Sequence, residues 1–166
     1  MESLLSKISA YHLISYALTG LILCGVYFFA HGIDPKSHPI VIFGVVYVVG
    51  LAVSRVGSIF IERILRGIGF VKYAKYEDFV RAEIDDPKVS GLAEQSAFYR
   101  TLSTGFLLLT LVSIVDGKPE QVTLFSGWLE TLVYGSLTCL FALSYRKQSN
   151  FVAKRVEVSS QKQVDD

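Results

Sequence analysis

Charge is what this chain has least of. Only 19% of its 166 residues are Asp, Glu, Lys or Arg, against about 25% in an average soluble domain. Cysteine is down to two residues, proline to four and tryptophan to one. Two cysteines with no C-x-x-C exclude a disulfide scaffold and thiol–disulfide chemistry. There is no G-x-S-x-G, H-E-x-x-H, Walker loop or paired-carboxylate motif, so neither catalysis nor a bound cofactor is expected. The charges that exist nearly cancel, 16 basic against 15 acidic, which leaves no global positive field for nucleic acid.

What is abundant is apolar sequence: 51% of residues and a mean hydropathy of +0.44. The charges leave four long gaps, and a run of about 20 apolar residues matches the hydrocarbon thickness of a bilayer. The gaps predict spans over residues 11–30, 39–62, 97–115 and 122–145. A segment at 63–96 separates the second and third spans, and a polar tail occupies 146–166. Every backbone polar group must be satisfied within lipid. The expected fold is therefore all-α: an integral membrane four-helix bundle of two transmembrane hairpins, with a short cytoplasmic helical hairpin between the second and third spans. A cleaved signal peptide is not expected, because the first apolar run is too long and no A-x-A site follows it.

Basic residues set the orientation. Lys7, six in the middle segment (Arg63, Arg66, Lys72, Lys75, Arg81, Lys88), Arg100 at the inner end of the third span and five in the tail (Arg146, Lys147, Lys154, Arg155, Lys162) fall on one side. Only Lys36 and Lys118 fall on the other. This asymmetry predicts a multi-pass protein of the cell (inner) membrane with cytoplasmic N and C termini. The bilayer itself is thus the first expected partner.

In the middle segment, Gly67 and Gly69 are positioned to end the second helix. Tyr76 to Ile84 reads as an amphipathic helix, with Tyr76, Phe79, Val80 and Ile84 on one face. Asp86-Pro87 has the form of an N-cap followed by proline at the first helical position. Two roles suit this segment: lying on the inner leaflet, or docking a soluble cytoplasmic partner through Tyr73, Tyr76 and Phe79. The tail reads as a basic stop-transfer stretch leading into a disordered end.

Two ionisable residues fall inside spans, where each costs roughly 2.5–3.5 kcal/mol on insertion scales. Arg55 is close enough to the cytoplasmic face to snorkel; Glu130, two turns below the outer face, must be protonated, paired or wet. Together they would mark a polar path or two separate contacts. Seven residues separate Arg55 from Glu62, which places both on one helix face. Glu62, Arg66 and Arg100 form an expected interfacial ion-pair cluster. Gly50, Ser54 and Ser58 make a small-residue stripe suited to close helix packing, within or between protomers. Cys24 and Cys139 read as packing residues. His31, Asp34 and His38 cluster in the first connection, but three mixed ligands there do not amount to a metal site.

These features predict a homo-oligomeric pore or membrane-perturbing effector, of the kind used in bacterial toxin or phage-defence systems. The alternative is a non-conducting scaffold or accessory subunit that recruits a soluble partner. The face presented by Glu130 separates the two: toward a symmetry axis for a pore, toward its own bundle for a scaffold.

Overall fold

A computed structural model describes residues 2–30, 39–116 and 127–165 of the chain. The described residues are all-helical and contain no strand. In chain order they form α1 (Glu2–Ala30), α2 (Pro39–Val56), a π-helical turn (Gly57–Ile61), α3 (Glu62–Gly67), α4 (Tyr76–Asp85), α5 (Lys88–Asp116) and α6 (Gly127–Asp165). α1 packs on α2 and α5 packs on α6, making two antiparallel pairs joined by contacts of α5 with both α1 and α2.

Two helical stretches, Ile40–Gly67 and Lys88–Val115, are long and apolar enough to cross a membrane. Only 28% and 33% of their most apolar windows are buried in the protein. The core helix of a soluble protein would bury most of such a window, because exposed apolar surface in water is costly. Here Ile40, Val41, Phe43, Val45 and Val48 all face outward.

The close approach of α1 and α2 depends on two glycines. A Cβ at Gly20 would overlap the Val46 carbonyl, and one at Gly50 would overlap the Tyr16 carbonyl. The backbones therefore touch directly, as small residues permit in apolar helix pairs. A second apolar centre joins α1, α5 and α6. Leu102, Phe106 and Tyr134 are its buried members, flanked by Ile22, Val26, Leu137 and Phe141. Phe106 and Phe141 stack with centroids 5.5 Å apart. Buried hydroxyls along α5 return their protons to their own helix: Thr101 donates to the Ala97 carbonyl at 2.9 Å and Thr104 to the Arg100 carbonyl at 2.8 Å. Such back-bonding lets a polar residue sit in a dry contact without an orphaned group.

The polar end of the molecule departs from the sequence expectation. Residues 146–165 are not a disordered tail; they continue α6 as helix to Asp165. The reason is a small third core. Val156 and Val89 are fully buried against Ala82, with Ala74, Phe79 and Val152 around them. Ser149, Val152 and Val156 fall at i, i+3 and i+7, one helix face. α4, the first turns of α5 and the far half of α6 thus make a compact unit with its own small core.

Local signals set the entrances to this unit. α3 ends in a Schellman arrangement: the Phe70 amide donates to the Leu65 carbonyl at 2.9 Å and the Gly69 amide to Arg66 at 3.1 Å. Gly69 carries the positive φ of 70° that this closure needs. At the α4–α5 corner the Asp86 carboxylate accepts the Lys88 amide at 3.1 Å, the expected cap.

Candidate functional site

The chemistry gathers where the apolar half of the bundle meets the α4–α5–α6 unit. The π-helical turn makes the first contribution. Its wider ladder, with the Glu62 amide donating to the Gly57 carbonyl, adds about one residue of rotation, roughly 100° in a 3.6-residue helix. Arg55 and Glu62 therefore do not share a face. Arg55 is exposed on the outer surface of the protein, whereas Glu62 turns inward. The turn also redirects the small-residue stripe. Gly50 and Ser54 are buried, Ser58 is exposed, and Gly57 takes the contact instead. A Cβ at Gly57 would come within 2.6 Å of Thr104 Oγ1.

Turned inward, Glu62 forms an ion pair with Arg100 of α5. The Arg100 side chain is 15% exposed, and its Nε is buried with no hydrogen-bond partner among the described residues. An orphaned buried donor costs about 1–3 kcal/mol. Arg66, the third member of the expected cluster, stacks over the Tyr73 ring at 5.6 Å from its centroid. Arg146 stacks over Phe70 at 4.8 Å. The Tyr73 and Tyr145 hydroxyls are hydrogen-bonded to each other. Burial, followed by that hydrogen bond, pushes the Tyr73 phenol above its ordinary value. Behind them, Ser96 and Ser149 share a buried 2.6 Å hydrogen bond, and the Lys72 amide donates to Asn150 Oδ1 at 3.3 Å. The Tyr73, Phe70 and Lys72 contacts pin the 68–75 connection onto α6, and the serine pair holds α6 to α5.

Between that connection and the two helices lies a cavity of about 370 Å³. Four cations line it: Arg66, Lys72, Lys75 and Arg100. An adjoining groove of about 670 Å³ runs on along α6 and is lined by Asp78 and Glu157 as well as Lys72 and Lys75.

The three residues expected to dock a partner have different fates. Tyr73 is engaged with Tyr145, and Phe79 packs on the Ala82–Val89–Val156 core. Tyr76 is 81% exposed. The buried face of α4 is thus Phe79 and Ala82, while Tyr76, Val80 and Ile84 form an outward stripe. A corner bridge holds α4 in place: Arg155 Nε donates to Asp86 Oδ2 at 2.7 Å. That pairing, with the Lys88 amide, holds the Asp86 carboxyl below the ordinary carboxylate range.

Glu130 lies far from this cluster, in the first turn of α6. It is 8% exposed, one helical turn from the buried Tyr134, and its Oε1 has no partner among the described residues. Nearby, Ser113 of α5 and Thr131 of α6 share a 2.8 Å hydrogen bond. Arg55 and Glu130 are thus on different surfaces, one outside and one inside the protomer. Cys24 is half-buried and Cys139 exposed, both as free thiols. His31, Asp34 and His38 lie outside the described residues. The ion pair and the cation-lined cavity were partly legible as charges at span ends; the Tyr73–Tyr145 and Ser96–Ser149 contacts had no sequence signal, since they depend on how α6 continues. No family model, curated protein or solved structure matches this chain.

Proposed function

We propose that this chain is a multi-pass protein of the cell (inner) membrane that acts as a non-conducting scaffold or accessory subunit. The four long helices α1, α2–α3, α5 and α6 cross the bilayer as two hairpins. The α4–α5–α6 unit stands in the cytoplasm with both termini, as the distribution of basic residues favours. The outward apolar surface of the long helices supports the membrane placement, since lipid is the solvent that such a surface suits.

One observation carries the choice of scaffold over pore: Glu130 is enclosed by its own protomer. A homomeric conduit needs its polar residues on the face that meets the symmetry axis. Arg55 is outward and Glu130 inward, so one face cannot present both. In the scaffold, Arg55 is the group free to meet a partner helix or a headgroup, and the exposed stripe of α4 meets a soluble protein.

The pore or membrane-perturbing effector is the second reading, and the outward Arg55 is what favours it. Mass determination in nanodiscs separates them. A monomer supports the scaffold. A discrete ring of three or more protomers, with ion flux lost in Arg55→Gln, overturns it.

A further inference from the structure

The cavity beneath the 68–75 connection has an unusual charge balance. Arg66, Lys72, Lys75 and Arg100 line it, and no acidic side chain does. Among the described residues Glu62 is the ion-pair partner of Arg100 alone. Like charges brought together around a small volume repel unless an anion neutralises them. Arg100 is answered by Glu62 and Arg66 by the Tyr73 ring, but the exposed Lys72 and Lys75 at the rim add two further positive charges. The rest of the wall is largely apolar, from Phe79, Val152 and several alanines, with the hydrogen-bonded Tyr73 and Tyr145 hydroxyls among them. The buried Arg100 Nε adds a donor with no acceptor among the described residues. Guanidinium groups and phenols around a cavity of about 370 Å³ suit a compact polyoxygen anion. Sites of this size hold small ligands, and arginine's planar fork matches phosphate oxygens as a bidentate donor.

We propose that this cavity is a binding site for a phosphate group. Arg66 and Lys75 close on it from the rim, and Arg100 carries the fixed charge at the base. The site sits where α3 ends and α5 turns apolar, so the phosphate has two sources. It is the headgroup of an anionic lipid from the adjoining leaflet, or a soluble phosphate compound. The inference deepens the scaffold reading by giving its cytoplasmic unit a ligand class, and only the lipid source depends on the membrane placement.

The test uses the full-length protein in nanodiscs of phosphatidylcholine, read by hydrogen exchange over residues 68–75. Inorganic phosphate is compared with chloride at matched ionic strength. In a parallel arm without phosphate, phosphatidylglycerol replaces part of the phosphatidylcholine. Slowed exchange in the first arm identifies a soluble ligand, and in the second a lipid headgroup. In whichever arm responds, Arg66→Gln with Lys75→Gln should weaken binding about tenfold. Lys72→Gln alone gives an independent reading, with about a threefold loss. The control pair Lys147→Gln with Lys154→Gln, basic residues outside the cavity, should change nothing. The proposal is overturned if neither arm slows exchange, or if the control pair loses as much as the rim pair. In both cases the stoichiometry of the protein is untouched, so failure of the site does not decide between scaffold and pore.

Discussion

Val156 offers the most direct test of how the polar end is built. It is fully buried against Val89 and Ala82, although it lies in a Ser-, Gln- and Lys-rich stretch. Val156→Ala removes two methyl groups. At about 0.8 kcal/mol per buried carbon, the lost transfer energy is about 1.6 kcal/mol. A void of about 40 Å³ left between three helices adds about 1 kcal/mol at roughly 24 cal/mol per Å³. The expected loss is thus about 2–3 kcal/mol. Val158, two residues on, is 56% exposed, and Val158→Ala should fall within about 0.5 kcal/mol of zero. Hydrogen exchange measured in nanodiscs reads the difference. Where reclosing is faster than exchange, amides of α4 and of 146–161 should exchange about 30- to 150-fold faster in Val156→Ala. Val158→Ala should stay within about threefold. Exchange in the apolar half of α5 and α6 should be unaffected in both, since that half has its own core. Equal effects of the two substitutions, or exchange over 146–161 already at the unprotected rate in the parent protein, would refute the packed core.

Two further outcomes follow from the described contacts. Gly20→Ala places a methyl group against the Val46 carbonyl and should destabilise the α1–α2 pair by about 2–3 kcal/mol, lowering the melting temperature in detergent. Gly25→Ala, with nothing within 4 Å of the added Cβ, should be neutral or stabilise by up to about 1 kcal/mol; similar melting temperatures for the two variants would count against the backbone contact. The Asp86 carboxyl lies below its ordinary value, so its ionised form is favoured by folding. Its contribution is complete above the unfolded value near 3.9 and fades as pH falls through the lower folded value. Exchange in α4 should therefore be steady, at constant intrinsic rate, from pH 7 to about pH 5. An acid loss of α4 protection already underway within that range, or one unchanged in Asp86→Asn, would remove the Arg155 bridge as its cause.

Much of the fold was legible because local chemistry encodes it. Charge-free runs gave the long helices, Gly67 and Gly69 gave the end of α3, and Asp86 gave the cap on α5. Each of these signals operates within a few residues. The misread parts depend on neighbours distant in sequence. Apolar spacing on α4 groups Tyr76, Val80 and Ile84 with Phe79, but the face that docks is the one whose small Ala82 fits between Val89 and Val156. The large Tyr76 and Ile84 are left outside. The far half of α6 was hidden by low hydropathy, though Ser149, Val152 and Val156 already had helical spacing. The π-helical turn has no signature in its GSIFI sequence. It rotates everything after it, which separated Arg55 from Glu62 and let Glu62 reach Arg100. The member of the candidate site named most nearly from sequence was Arg100, since a cation at the inner end of an apolar run invites an acid from a neighbouring helix.

The unbroken course of α6 has a mechanical consequence. Its 39 residues form a rod about 58 Å long at 1.5 Å per residue, with its apolar half clamped to α5 and its polar half to α4. A stiff rod gripped at two places behaves as a lever. The stretch beyond Tyr145 is about 30 Å long, so a tilt of about 10° in the apolar half carries its far end sideways by about 5 Å. That displacement is comparable to one turn of helix. It would arrive first at the Arg155–Asp86 bridge and the rim lysines, where the lever bears on the corner that holds α4.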